Sequence, residues 1–210
     1  MTQTLFLHPE NPEIRALERA ARVLRGGDII AFPTDSCYAL GCHLGDKEAL
    51  DRLRAIRGID DRHHLTLMCR DLSEIAKYAR VDNAQYRLLK ATTPGSYVFI
   101  LEGTKELPRR VMHPKRKTIG LRVPDHPVAL ALLETLGEPL LTSTLLLPGD
   151  ETPLQEAWEI ADALENRVAL VLDGGFCGVE PTTVIDLTGA TPELLRQGRG
   201  PLAPFGLVAA

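Results

Sequence analysis

At 210 residues, with 44% hydrophobic side chains and a formal net charge of −4, the chain is long enough to bury roughly 70% of its unfolded surface in one core. No apolar run approaches the ~20 residues of a membrane helix, and Met1 to His8 lacks a basic region followed by a long apolar segment, so a soluble cytoplasmic protein is expected. Cys37, Cys42, Cys69 and Cys177 form no C-x-x-C pair and no disulfide framework, which excludes a disulfide-stapled scaffold and reads as reduced, buried thiols.

In chain order, the first helix runs through Ile14, Leu17, Ala21 and Leu24, with Asn11 able to cap it, Pro12 suited to its first turn and Gly26-Gly27 to end it. A buried strand follows over Asp28 to Phe32. Asp46 caps a helix in which Leu50, Leu53 and Ile56 share a face and Gly58 is the stop, and a strand follows over Leu65 to Cys69. Short helices are expected over Leu72 to Ala79 and Asn83 to Lys90. Strands over Ser96 to Leu101, Thr118 to Val123, Leu140 to Leu146 and Val168 to Leu172 alternate with helices over Pro127 to Leu136 and Leu154 to Leu164. Strands near Thr182 to Leu187 and Leu194 to Gln197 close the pattern. Such alternation predicts a single twisted α/β domain, and the consecutive strand patterns predict a mixed sheet rather than a parallel one. No repeat or linker divides it.

Three of these strands end in groups able to hold an anion: Ala31 to Ser36, Thr118 to Pro124 and Pro181 to Asp186. Hydroxyls, backbone N–H groups and a guanidinium fork can all donate to one oxyanion, so phosphate or carboxylate ligands suit them. Arg122 sits in a strand that otherwise reads as core and therefore needs an anion, either an internal carboxylate or a ligand. Arg57, just before Gly58, is the arginine of the second helix placed to point into a site. Gly174-Gly175 and Gly178 precede Thr182 and Thr183 as a loop whose backbone could nest an anion. Arg196 adds a further cation. His126, at a helix start, reads as a cap or turn residue. A zinc site from Cys42, His43, His63 and His64 is a poor tetrahedron, and no metal site is expected.

Charge is unevenly spread. Lys105, Arg109, Arg110, Lys115, Arg116 and Lys117 face only Glu106 within their stretch, whereas Asp150, Glu151, Glu156, Glu159, Asp162 and Glu165 precede the next cation, Arg167. P-loop, dinucleotide, serine-hydrolase and zinc-protease motifs are all missing, so a nucleotide would bind by another route.

The segments Pro33 to Gly41, Leu65 to Leu72, Thr93 to Gly95, Lys115 to Pro124 and Pro181 to Leu187 together resemble the YrdC-like family of threonylcarbamoyl-AMP synthases, most of all its YciO-type branch. The resemblance implies a YrdC-like α/β domain over residues 10–198, with 199–210 as a C-terminal tail, and a basic concave cavity. It implies binding of ATP or AMP with Mg²⁺, and condensation of L-threonine, bicarbonate and ATP into threonylcarbamoyl-adenylate and pyrophosphate, a step toward tRNA modification. The alternative it implies is a non-catalytic paralogue that binds nucleotide or double-stranded RNA. By this resemblance Thr34, Tyr38, Thr118 and Arg122 contact the amino acid. Arg57 and Thr144 take the catalytic positions, and Ser143, Thr182, Thr183 and Arg196 border the nucleotide. Lys115, Arg116 and Lys117 form the RNA-binding surface. The chain departs from the synthase pattern where a Lys-x-Arg pair becomes Arg57-Gly58-Ile59, a Ser-x-Asn becomes Thr144-Leu145-Leu146, and a strand histidine becomes Met68. One lost donor can cost ~10²- to 10³-fold in rate.

Overall fold

A computed structural model describes residues 1–208; residues 209 and 210 of the expected tail lie outside the described residues. Ten strands form one mixed sheet: β1 (Gln3–Phe6), β2 (Ile30–Phe32), β3 (Ala39–His43), β4 (Thr66–Met68), β5 (Tyr97–Glu102), β6 (Thr118–Arg122), β7 (Leu140–Thr144), β8 (Leu170–Asp173), β9 (Thr183–Asp186) and β10 (Glu193–Arg196). Their spatial order is β1-β8-β2-β3-β7-β4-β6-β5-β9-β10. Parallel pairs such as β4–β6 and β5–β9 alternate with antiparallel ones such as β3–β7 and β5–β6, the mixed sheet that the strand spacing predicts.

Six helices flank the sheet: α1 (Ile14–Arg25), α2 (Lys47–Arg57), α3 (Leu72–Tyr78), α4 (Asn83–Thr92), α5 (Pro127–Leu136) and α6 (Ala157–Ala163). One face of the sheet, carrying Leu40, Leu67, Phe99, Leu121, Leu141 and Ile185, is buried beneath α2, α3, α4 and α6 in the larger core cluster. The opposite face is shared. Over β8, β2 and β3 it packs Ile30, Phe32, Leu170 and Leu172 against Leu17, Leu24, Leu132 and Leu133 of α1 and α5. Over β7, β4, β6, β5 and β9 the same face turns Thr142, Thr66, Gly120, Ile100 and Val184 away from those two helices, and this is where the cavity lies.

Several local readings change. Asn11 does not cap α1: Glu13 takes the N-cap position without a side-chain bond, and the backbone N–H groups of Glu10 and Asn11 donate to His8 Nδ1 instead. Pro12 therefore lies ahead of the helix, and Ile14, expected on the apolar stripe, is 58% exposed. Asp46 does cap α2, accepting from the Ala49 N–H, and Gly58 stops it in the left-handed region at φ 63°. That stop leaves Arg57 as the last helical residue. His126 occupies the N-cap position of α5 but makes no cap bond.

Two strands had no sequence reading, and the segment expected only as a C-terminal tail packs on the core. β1 pairs in parallel with β8 ahead of residue 10, where the domain was expected to begin. β3 follows the Pro33 to Tyr38 turn. Beyond residue 198, the Gly200 carbonyl accepts from Thr183 Oγ1, the Pro201 carbonyl accepts from Tyr97 O–H, and Phe205 packs edge-on to Tyr97, so this segment closes one end of the core.

Candidate functional site

The cavity holds about 420 Å³, within the range of small-molecule sites. Its floor is the sheet face left free by α1 and α5, and the strand pleat decides which residues reach it. Thr66 pairs in register with Thr142 on one side and Gly120 on the other, so a row of small and hydroxyl side chains crosses three strands before it meets Ile100 of β5. A Cβ on Gly120 would lie 2.8 Å from Val98 Cγ1 and 3.0 Å from the Leu65 carbonyl, so the glycine keeps the floor low.

Cations ring this floor. Arg57 reaches it from the end of α2, its Nε donating to Ser143 Oγ at 3.0 Å. Arg196, from the edge strand β10, donates to the Thr182 carbonyl and to Thr182 Oγ1. Arg62 and Arg122 also line the cavity. Among the described residues Arg57, Arg62 and Arg196 belong to no ion pair. Burial and the charge of Arg196 push the Arg57 guanidinium below its ordinary range, and burial with the charge of Arg122 does the same to Arg196. Like charges gathered without ion-pair partners store repulsion that a bound anion relieves.

Arg122 differs. Its Nη2 meets Asp35 Oδ1 at 2.5 Å and also approaches Thr34 Oγ1 and Ser36 Oγ, so an internal carboxylate supplies the anion this strand arginine requires. Its buried Nε, however, has no partner. That nitrogen is enclosed, so a ligand in the cavity, which the 7%-exposed Arg122 side chain lines, meets the guanidinium elsewhere.

The other expected site residues divide. Tyr38, Ser143, Thr144 and Thr182 line the cavity together with Arg57, Arg122 and Arg196. The Tyr38 hydroxyl is tied to the Gly175 carbonyl at 2.7 Å, which fastens the glycine loop, and burial raises its pKa. Thr34, expected at the amino-acid end, lies behind the wall: its Oγ1 donates to the Cys37 carbonyl at 2.6 Å and forms the turn that presents Ser36 and Cys37. Thr118 is likewise buried behind His64, whose Nε2 lies 2.9 Å from Thr118 Oγ1. Thr183 faces away from the expected nucleotide. It points to the opposite side of β9 from Val184 and bonds Gly200 and Gly198. Arg116, expected on the RNA surface, is held by Asp186 at 2.5 Å and by Thr188, while Lys115 and Lys117 are exposed and outside any ion pair among the described residues. Of the departures, Leu146 stands in the cavity wall, Ile59 packs against the larger core and Met68 is buried in the smaller one.

Sequence reasoning weighed His63 and His64 only as members of a poor zinc site and Glu151 only as part of an acidic run, yet all three line the cavity, from the loops after α2 and β7. The imidazole of His63 is held below its usual pKa by burial and then by the charges of Arg57 and Arg196. His64 is lowered by burial and by His113, on which it stacks at 5.0 Å. No local pattern marks these residues. Their position depends on the loop after Gly58 folding back over the floor.

A family model, Sua5_yciO_yrdC, described as telomere recombination, matches residues 22–198. The chain belongs to the Sua5/YciO/YrdC family. It is 53% identical to the uncharacterised protein YciO of Escherichia coli over 98% of this chain and all of that one, and the crystal structure of E. coli YciO superposes with a TM-score of 0.95. A threonylcarbamoyl-AMP synthase of Halorhodospira halophila is 31% identical over 81% of this chain and 89% of its own length. The structure of Pyrococcus abyssi Sua5 complexed with L-threonine superposes with a TM-score of 0.86 at 27% identity, covering 94% of this chain and 58% of that one. The family therefore includes threonylcarbamoyl-AMP synthases, and the fold is theirs. No helix among the described residues is long and apolar enough to cross a membrane.

Proposed function

We propose that the cavity binds an adenine nucleotide with its phosphates between Arg57 and Arg196 and a small amino acid with its carboxylate at Arg122, and that it condenses L-threonine, bicarbonate and ATP. The observation that carries this reading is the set of arginines without ion-pair partners facing one hydroxyl-lined cavity. Arg122 supports the carboxylate subsite because it lines the cavity while its hydrogen bonds, all through Nη2, leave the Nη1 donors free for a ligand oxygen.

The chemistry needs no covalent nucleophile on the protein. The threonine nitrogen takes up bicarbonate carbon with loss of water, a carbamate oxygen then attacks the α-phosphorus, and pyrophosphate leaves. The chain's own work is to hold the two reactants in line and to neutralise charge, with Arg57 and Arg196 on the phosphates and Ser143 and Thr182 orienting those two cations. Among the described residues Glu151 is the one carboxylate in the cavity lining, so Mg²⁺ would enter already bound to the triphosphate, where it would neutralise charge on the leaving pyrophosphate.

The test is pyrophosphate release by the purified protein with ATP, threonine and bicarbonate added singly and together. Release that requires both co-substrates is the expected result. Nucleotide binding without release favours a second reading, a binding paralogue without turnover, for which Leu146 speaks: it places an alkyl group in the wall where a synthase-type amide would donate and accept. If that paralogue binds double-stranded RNA through Lys115 and Lys117, affinity falls as salt rises and their joint substitution by alanine flattens the slope by about 2. An unchanged slope removes that surface.

A further inference from the structure

Arg122 is held from one side only. All its hydrogen bonds pass through Nη2, to Asp35 Oδ1, Thr34 Oγ1 and Ser36 Oγ. The second oxygen of the same carboxylate, Asp35 Oδ2, accepts from Ser96 Oγ at 2.5 Å. A chain thus runs from Ser96, just before β5, through Asp35 to Arg122 at the end of β6; among the described residues Nη1 has no protein partner, and Nε is enclosed without one. Burial alone would raise the Asp35 carboxyl, but the charge of Arg122 and the Ser96 and Arg122 hydrogen bonds outweigh it and hold the group below the ordinary aspartate range.

Resting on the proposed amino-acid subsite, we infer that Asp35 and Ser96 are positioning residues, which fix the Arg122 guanidinium by its Nη2 so that its unbonded Nη1 is kept for the carboxylate of the incoming amino acid. Neither needs to touch that ligand. A single-oxygen contact leaves the fork geometry of arginine half used, and a guanidinium locked at one nitrogen loses less freedom when a second oxyanion arrives. Asp35 and Ser96 also line a separate cavity of about 360 Å³, with Asp125 and Arg199, so the carboxylate can be reached from outside the substrate cavity.

That second opening supplies the test. In ¹⁵N-arginine-labelled protein, the Arg122 Nη groups should rotate slowly in the parent and freely in Asp35→Asn. L-threonine affinity should fall about 10- to 100-fold, as for residues that orient a ligating side chain, while AMP affinity stays within about 3-fold because Arg57 and Arg196 are untouched. Asp35→Gly should regain threonine binding in added formate, which can enter through the outer cavity and replace the carboxylate, a recovery that a merely structural residue would not show. Should Asp35→Asn fail to fold, Ser96→Ala keeps the ion pair and should weaken threonine by about 3-fold or more, because the Asp35 carboxylate loses one charge-assisted hydrogen bond. Rotation that stays hindered in the folded variants, or no recovery with formate, overturns the inference. A parent protein that binds AMP but no threonine defeats the amino-acid reading of the cavity, and the rotation measurement then decides the role of Asp35 alone.

Discussion

One face of the sheet is used in two ways. Over β8, β2 and β3 it carries Ile30, Phe32, Leu170 and Leu172 beneath α1 and α5, and over β7, β4, β6, β5 and β9 it carries threonine, glycine, arginine and a few aliphatic side chains beneath loops. The first half is closed by the hydrophobic effect, and the second is kept open by side chains that cannot complete a core and by cations that repel one another. Stability should therefore sit in the closed half and ligand affinity in the open one, and substitutions that respect the boundary should separate the two.

The largest effect belongs to the closed half. Leu132 is buried to 0% exposure between α5 and the sheet, so Leu132→Ala should lower unfolding free energy by about 2–5 kcal/mol in urea titrations. Anion affinity of the folded fraction should not change. A matching loss of affinity would show that the two halves are not independent. In the open half the pattern reverses. Arg57→Ala or Arg196→Ala removes a charged donor worth about 1.5–3 kcal/mol, so AMP affinity by calorimetry should fall about 10- to 100-fold. Stability should stay within about 0.5 kcal/mol of the parent, because removing Arg196 relieves repulsion on Arg57 and removing either cation relieves repulsion on His63. Loss of stability comparable to that of Leu132→Ala would make these arginines part of the fold rather than of a site.

At the boundary lies Gly120. The added methyl of Gly120→Ala meets Val98 and the Leu65 carbonyl inside contact distance, so it should cost about 1–3 kcal/mol by overpacking and narrow the cavity as well. This is the one substitution of the series expected to lower stability and AMP affinity together, and an effect on only one of them would move the floor of the cavity elsewhere.

The same division explains what the sequence made legible. The closed half and the larger core announce themselves through apolar periodicity: Leu17 with Leu24, Leu50 with Leu53, and the Pro127 to Leu136 helix all appear where spacing puts them. Gly58 as a helix stop also located Arg57, because a left-handed glycine is readable from local composition. β1 escaped because Gln3 to Phe6 is a short edge strand whose Phe6 is 79% exposed. The open half is harder to read, since its contacts join distant segments. Asp35 meets Arg122 across 87 residues and Arg57 meets Ser143 across 86, and no local pattern says which arginine is paired and which is free. Thr34 and Thr183 have the right chemistry for an anion site, but each hydroxyl turns to a backbone carbonyl instead, Thr34 to shape its turn and Thr183 to hold the closing segment at Gly200.

The smallest effect probes the electrostatics of the open half directly. His63 is kept neutral by burial and by the positive charges of Arg57 and Arg196. In the free protein its pKa is lower than in the unfolded chain, so its contribution to stability is present above about pH 6.5 and declines as the pH falls through that value and the unfolded chain takes up the proton first. An anion seated between the two guanidiniums offsets their charge, and the imidazole of the complex accepts a proton more readily than that of the free protein. Binding is then linked to proton uptake and should strengthen as the pH is lowered from about 8 to about 6. Sulfate suits the measurement because its own charge does not change over that range, and the gain should stay below about 10-fold, the worth of one pKa unit. His63→Gln should abolish the dependence while leaving sulfate affinity near the parent's value at the upper end of the range. A parent whose sulfate affinity is flat with pH would place His63 outside the field of the anion, and the cations of the open half would then act at some distance from the loop after α2.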